Sequence, residues 1–393
     1  IGTISPAEKL DVYGNLKING SYGGLTFYAF GDGAGDIGVT WPHNNGNNGQ
    51  VLTNDGNGID VAKHPEYDVW IPEMIFGHLR TSTNYNKDEK KIVGGKNGFG
   101  FKLVLIWSTY GYIETIDHTR GLKYCQEFKD NLDTICKPSI TKCKNKPYTK
   151  IVFKPDYNRL GLAGLDEDMI ALLRKRVYDI SAVTDKTLKV KYNSQLIPTK
   201  NFQQYIDLYI GTKGEAERVY EEPEGSQGRW EYAVAMTPTN EFVQVSFVNG
   251  IHTSKGGKHV DYIMGQITKK LCELIEKKKK VKVNPASIKE QLILFLRCDI
   301  ENPAFDSQTK DYMNTPMSKF GSKCEVSDKF IEKVAKMGVM DAAVQIIRPS
   351  KKELQPLHNI SCWILLQLLS LIKISFYLHC MMRFLTYRNM TIV

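Results

Sequence analysis

The nine-residue run GGKNGFGFK, residues 94–102, constrains this chain more than any other stretch. Glycines this closely spaced admit positive φ and let backbone approach a ligand closely. The apolar residues 103–107 follow at once. Free N–H groups at the head of a helix form a cradle for an anion, and Lys96 and Lys102 add charge suited to a triphosphate. No GK[ST] is present, so this is not a Walker loop, and the GxNGxGxK spacing is not a Rossmann fingerprint. Alone, such a run reads equally as a plain turn.

Its neighbours favour a site. Asn54-Asp55-Gly56-Asn57-Gly58-Ile59 is a second glycine turn, with an amide able to bond a nucleobase. Thr81-Ser82-Thr83-Asn84 supplies hydroxyls and an amide suited to ribose and phosphate. From about residue 54 to 345, helical and strand-like spacings alternate, which predicts an α/β fold. Met169, Ile170, Leu173, Val177 and Ile180 share one helix face, and residues 148–154 are strand-like up to Pro155. Val260, Ile263, Met264, Ile267, Leu271 and Leu274 mark an amphipathic helix that ends in Lys277-Lys278-Lys279-Lys280. Asn284-Pro285 reads as an N-cap followed by Pro at N1, and residues 292–298 as a buried strand. The net charge of +9 permits a polyanionic partner without requiring one. Eight cysteines without CxxC pairs argue against a zinc site or a disulfide scaffold and fit a reducing compartment.

Five strings in order carry a resemblance: NDGNGI (54–59), HPEYDVWIPEMIFGHLRTSTNYNKDEKKIVGGKNGFGFK (64–102), VSFVNGIHTSKGGKHVDYI (245–263), IENPAFDSQTK (300–310) and FGSKCEVS (320–327). The region they span resembles the ATPase and transducer regions of eukaryotic-type type II DNA topoisomerases, in the GHKL ATPase superfamily. The implied fold is α/β, built of α+β two-layer sandwiches: a truncated GHKL/Bergerat half-domain and then a ribosomal-protein-like transducer. The implied boundaries are 1–53 for a foreign Gly/Asn-rich segment, 54–205 for the partial ATPase domain, 206–345 for the transducer and 346–393 for an apolar tail.

The resemblance implies site residues. Asn54 sits where the family bonds adenine, with Gly56 and Gly58 keeping that turn open. Ser82, Thr83 and Asn84 match ribose and phosphate contacts, and Gly95, Lys96, Asn97, Gly98, Phe99, Gly100, Phe101 and Lys102 the ATP lid. Gln308 and Lys310 match the transducer loop that reaches the γ-phosphate, Lys310 acting there as a point charge. Lys277, Lys278, Lys279, Lys280 and Lys282 match a loop facing double-stranded DNA; the bland reading is a solvated helix end. Arg229, Trp230 and Asn249 read as structural residues of the transducer core. The usual lid has a small residue where Phe101 stands, and Pro where Asp60 stands. ATP, Mg²⁺ in the intact family, a homodimer and a nuclear location are implied as well, with no stable membrane association.

GHKL hydrolysis uses a helix upstream of the adenine turn, in a pattern close to ExxxNAxD, carrying a water-activating Glu and a Mg²⁺-holding Asn. Residues 1–53 contain no such string, since Glu8 has Val12 four residues on. The opening IGTISPAEKLDVYGNLKING instead resembles a short repeat of phage-tail and bacterial surface proteins, and NNGNNG at 44–49 is a loop. Residues 50–58, QVLTNDGNG, suit either neighbour, so the chain reads as a chimera joined near residues 52–58, a fragment or processed product opening on Ile1. Residues 361–382 are strongly apolar, but their ~−3 to −6 kcal/mol of Leu, Ile and Phe insertion energy is nearly offset by Lys373, Gln367 and His379. An out-of-frame tail is favoured over a membrane span. The expected function is thus a catalytically incomplete topoisomerase fragment. The rivals are a non-hydrolysing DNA-binding module and a tail or surface structural protein.

Overall fold

The structure, a computed structural model, describes residues 24–29, 58–79, 81, 89–95, 98–184, 190–193 and 195–347, with only the backbone for 24–29 and 346–347. The expectations for the opening repeat, the 44–49 loop, the join at 50–57 and the apolar 361–382 stretch lie outside the described residues, as do Asn54, Ser82, Thr83, Asn84, Lys96 and Asn97.

Two sheets dominate. The first contains β1 (Gly24–Ala29), β2 (Ser108–Asp117), β3 (Leu122–Lys129), β4 (Thr134–Ile135), β5 (Ser139–Lys142) and β6 (Tyr148–Pro155) in the order β1-β6-β2-β3-β4, with β5 also on β3. β1 runs parallel to β6 at the edge, so the Gly/Asn-rich opening segment contributes a strand here. The two short helices α1 (Ile71–Gly77) and α2 (Gly100–Ile106) cover one face, where Phe76 and Leu105 pack with Ile113, Phe128 and Ile151. Gly111 lets α2 lie this close, since a Cβ there would stand 2.4 Å from Leu105 Cδ2. On β2 the side chains alternate, so Glu114 faces the opposite side and is bonded by Tyr112, Tyr148 and Lys123.

A short helix α3 (Tyr157–Leu160) and the long α4 (Glu167–Val183) follow, α4 being capped by the Asp166 carboxylate accepting from Met169 N at 2.7 Å. After the small hairpin β7 (Lys191–Tyr192) and β8 (Gln195–Leu196) comes α5 (Phe202–Ile210). The second sheet has the order β12-β11-β13-β10-β9, from β9 (Arg218–Glu221), β10 (Trp230–Met236), β11 (Val243–Val248), β12 (Ile251–His252) and β13 (Leu292–Cys298). β11 and β13 are parallel, joined by a crossover through α6 (Lys258–Lys279) and α7 (Pro285–Lys289). Asn284 caps α7, its Oδ1 accepting from Ala286 N at 3.0 Å with Pro285 in the first turn.

β13 explains the layering. Leu292, Leu294 and Leu296 point to the α6 face, meeting Ile263, Ile267 and Leu271. Ile293 and Phe295 point the other way, meeting Phe202, Tyr205 and Ile206 of α5 and Ala182 of α4. Each such side chain contributes roughly 1.5–3 kcal/mol on burial. The expected α/β sandwich is present, and α4 with α5 gives this sheet a further layer. Beyond β13, α8 (Asp328–Val334) and α9 (Met340–Ile347) close the α6 side, with Phe330 and Val334 in the same core. No helix among the described residues is long and apolar enough to cross a membrane.

Candidate functional site

The turn at Gly58 is pinned to the end of β2. Ile59 N donates to Thr115 Oγ1 at 3.0 Å, and Val61 N to Asp117 Oδ2 at 2.9 Å. Gly58 takes φ +78°, and a Cβ there would lie 1.8 Å from Ile116 O, so only glycine fits. Asp117 is buried, which raises its carboxyl. The N–H groups of Val61 and Arg120 and the Arg120 guanidinium outweigh that and hold it below the usual range. Arg120 also pairs with Asp60 at 2.9 Å, so the residue standing in place of the family's Pro has a local partner.

The second glycine segment is braced from both sides. Lys102 is buried in the first turn of α2. Its Nζ donates to Thr81 Oγ1 at 3.0 Å and to Gly98 O at 2.7 Å. Thr81 Oγ1 in turn reaches Met74 O and His78 O, so Lys102 ties the glycine run to the end of α1. Burial lowers the Lys102 ammonium to about 8. Phe101 turns inward against Phe76, ring centroids 5.0 Å apart, filling space beside α1. Gly95, Gly98 and Gly100 are exposed, while Phe99 is half-buried at the head of α2.

Gly94 lies against the second lobe, where a Cβ would meet Ile251 Cδ1 at 2.3 Å. Lys310, itself at φ +60°, donates from Nζ to Gly94 O at 2.7 Å, and burial lowers its ammonium. Gln308 is exposed on the same turn. The fold thus brings Lys310 to the glycine run across 216 residues of chain. Trp230 and Arg229 are structural: Trp230 is fully buried with Nε1 donating to Ser322 Oγ at 2.8 Å, and Arg229 bonds Gly321 O. Asn249 has a wider role than core packing, since its Nδ2 donates to Val93 O at 3.2 Å as well as Ile300 O at 2.9 Å.

Lys277, Lys278, Lys279, Lys280 and Lys282 are all exposed at and beyond the end of α6, with Lys280 as its left-handed cap. Lys279 pairs with Asp341 at 3.0 Å and Lys282 with Glu276 at 3.7 Å. Lys277, Lys278 and Lys280 make no ion pair with the described residues. No group of three or more His, Cys, Asp or Glu among the described residues is placed to hold a metal.

A buried charge cluster escaped the sequence. Asp179 of α4 accepts from Lys175 Nζ at 2.8 Å, Arg176 at 3.3 Å and Tyr205 OH at 2.5 Å, and Tyr205 meets the Tyr209 hydroxyl at 2.9 Å. The i, i+4 spacing of Lys175 and Asp179 was its available signal.

Two sheets in this order, with a glycine segment beside the first bridged by Lys310 from the loop after the second, match the class of GHKL-type ATPase and transducer regions. A family model described as DNA gyrase B matches residues 201–355. The ATPase region of Saccharomyces cerevisiae topoisomerase II is similar with 41% identity and a TM-score of 0.69, covering 75% of each chain. The ATPase and transducer domains of DNA topoisomerase II from Balamuthia mandrillaris are similar with 38% identity and a TM-score of 0.69, covering 76% of each chain. A DNA topoisomerase 2 of Acanthamoeba polyphaga mimivirus is 45% identical over 307 residues, 77% of this chain and 24% of the relative. The chain belongs to the eukaryotic-type type II DNA topoisomerase family and corresponds to its ATPase and transducer region. It spans about a quarter of the length of that viral relative.

Proposed function

We propose that this chain binds ATP between its two sheets and passes the nucleotide state to a DNA-contacting lobe, as the corresponding part of a strand-passing topoisomerase. The observation that carries this reading is Lys310 Nζ at 2.7 Å from Gly94 O: a half-buried ammonium from the second sheet's side stands at the mouth of the glycine run. The residues fit a nucleotide. Gly95 and Gly100 are exposed, and a Cβ at either would meet nothing within 4 Å, leaving backbone open to a ligand. Asn54 would take the adenine, Ser82, Thr83 and Asn84 the ribose and phosphates, Gly95–Lys102 the phosphate chain, and Gln308 and Lys310 its end. Magnesium would arrive with the nucleotide, and no side chain of this chain is assigned to it. ATP supplies a charge whose size differs before and after cleavage, and Lys310 reads that difference.

No string in residues 1–53 matches ExxxNAxD, so this reading assigns nucleotide capture to the chain and assigns water activation to none of its residues. The division into 1–53, 54–205, 206–345 and 346–393 belongs to the same reading, as do the lysine run as a double-stranded DNA contact, assembly as a homodimer and a nuclear site of action. Supporting the DNA contact, Lys277, Lys278 and Lys280 project from a helix end where clustered charge displaces phosphate counterions. The test is DNA affinity of the whole chain against salt, with and without a non-hydrolysable ATP analogue. An affinity that moves with nucleotide supports the reading. A steep salt slope indifferent to nucleotide replaces it with a passive DNA-binding module.

A further inference from the structure

Residues 89–94 lead into the glycine run, and the backbone of Glu89, Lys91, Val93 and Gly94 bonds to residues of the second sheet and the loop after it. Asn302, just past β13, makes a bridge-like pair with them. Its backbone N donates to Lys91 O at 2.8 Å. Its side-chain Oδ1 accepts from Lys91 N at 3.2 Å, and its Nδ2 donates to Glu89 O at 2.9 Å. Asn249 continues the row by donating to Val93 O at 3.2 Å, and Lys310 ends it at Gly94 O. Glu301, beside Asn302, faces Lys90 at 3.7 Å.

The chemistry of Asn302 is specific. Its φ of +45° lies where Asn and Gly are the favoured residues. Glycine would satisfy that backbone equally, so φ alone does not account for an amide here. The amide offers one acceptor and one donor to a strap that presents one N–H and one C=O. Aspartate keeps the acceptor but sets a carboxylate oxygen against the Glu89 carbonyl, so it retains half the pair. Because the contacts are to backbone, the clamp is independent of the strap's side chains.

We propose that Asn302 is a positioning residue, clamping residues 89–94 to the second sheet so that the glycine run at Gly94 opens at a fixed distance from Lys310. The proposal rests on the nucleotide-binding reading and deepens it, naming the residue through which the position of the glycine run is registered in the second lobe. Lys310 is the charge that meets phosphate, and Asn302 the fixed point from which its reach is set.

The test compares the whole chain with Asn302→Asp and Asn302→Gly by hydrogen–deuterium exchange without nucleotide. Exchange across residues 89–95 is expected to quicken about tenfold in the Gly variant and about two- to fivefold in the Asp variant, from loss of two and one hydrogen bonds. The peptide covering Leu292–Cys298 should not change. In titrations with fluorescent ATP and ADP, the preference for the triphosphate should fall in the same order. Equal exchange in all three chains overturns the proposal, and so does a quickened strap with an intact triphosphate preference, which would leave Asn302 merely structural. A wild-type chain that binds neither nucleotide overturns the ATP reading instead, and the exchange ranking then decides for or against the clamp alone.

Discussion

Lys310 Nζ and Gly94 O stand 2.7 Å apart, joining the loop after the second sheet to the first glycine of the run ahead of α2. On the proposed reading this half-buried ammonium would exchange the carbonyl for a phosphate oxygen, the stronger partner.

Gly58→Ala should damage the first lobe. The added Cβ would meet Ile116 O at 1.8 Å on a backbone at φ +78°. Strain at such a position costs about 1–3 kcal/mol before the clash is counted. Urea unfolding followed by exchange in β2 and β6 should show selective loss there. An unchanged midpoint would contradict the pinned turn.

Asp179→Ala should destabilise the chain by about 3 kcal/mol, because it removes the buried partner of the half-buried Lys175 ammonium and of the Tyr205 hydroxyl. Asp179→Asn should cost less, since an amide oxygen still accepts from Tyr205 or Lys175. Denaturant midpoints of the two variants check the order.

Acid should weaken the second lobe through His259. The ring is fully buried, Nε2 is 3.1 Å from Thr253 Oγ1, and Nδ1 has no hydrogen-bond partner among the described residues. Burial lowers it to about 3, against 6.5 unfolded. The folded form therefore favours the neutral ring, and its contribution is complete above about 6.5 and lost as pH falls toward 3. Between pH 7 and 5 the loss is about 2 kcal/mol. His259→Gln should flatten this part of the stability–pH curve, at a lower starting stability. An equal slope in both chains would contradict it.

Replacing Lys277, Lys278 and Lys280 by Gln should lower the magnitude of the log affinity–log salt slope for duplex DNA by about 2–3. Replacing the paired Lys279 alone should change it less, because Asp341 already offsets that charge. Filter binding across a salt series measures both.

The second lobe was largely legible in sequence because its signals are periodic. The stripe from Val260 to Leu271 faces one core, and the alternation along β13 feeds two, so α6 and β13 lie where spacing puts them. Asn284-Pro285 was legible because capping is local. Lys102 reads in sequence as a charge for phosphate, and the contacts its Nζ makes to Thr81 and Gly98 are announced by no spacing. Asn302 and Asn249 went unread as partners of residues 89–94 for a related reason: a single amide bonding backbone across more than 150 residues leaves no period in the chain. The strand at 24–29 has no clear alternation, and β6 beside it supplies the pairing edge.

The central claim is that the second lobe reads a nucleotide through Lys310, and fluorescent ATP titrated into wild type and Lys310→Ala tests it most directly. Saturable binding that weakens about tenfold or more in the variant, with ADP binding little changed, is the predicted result, as a charge-assisted phosphate contact requires. Equal ATP affinity in the two chains, or no binding by the wild type, would contradict it.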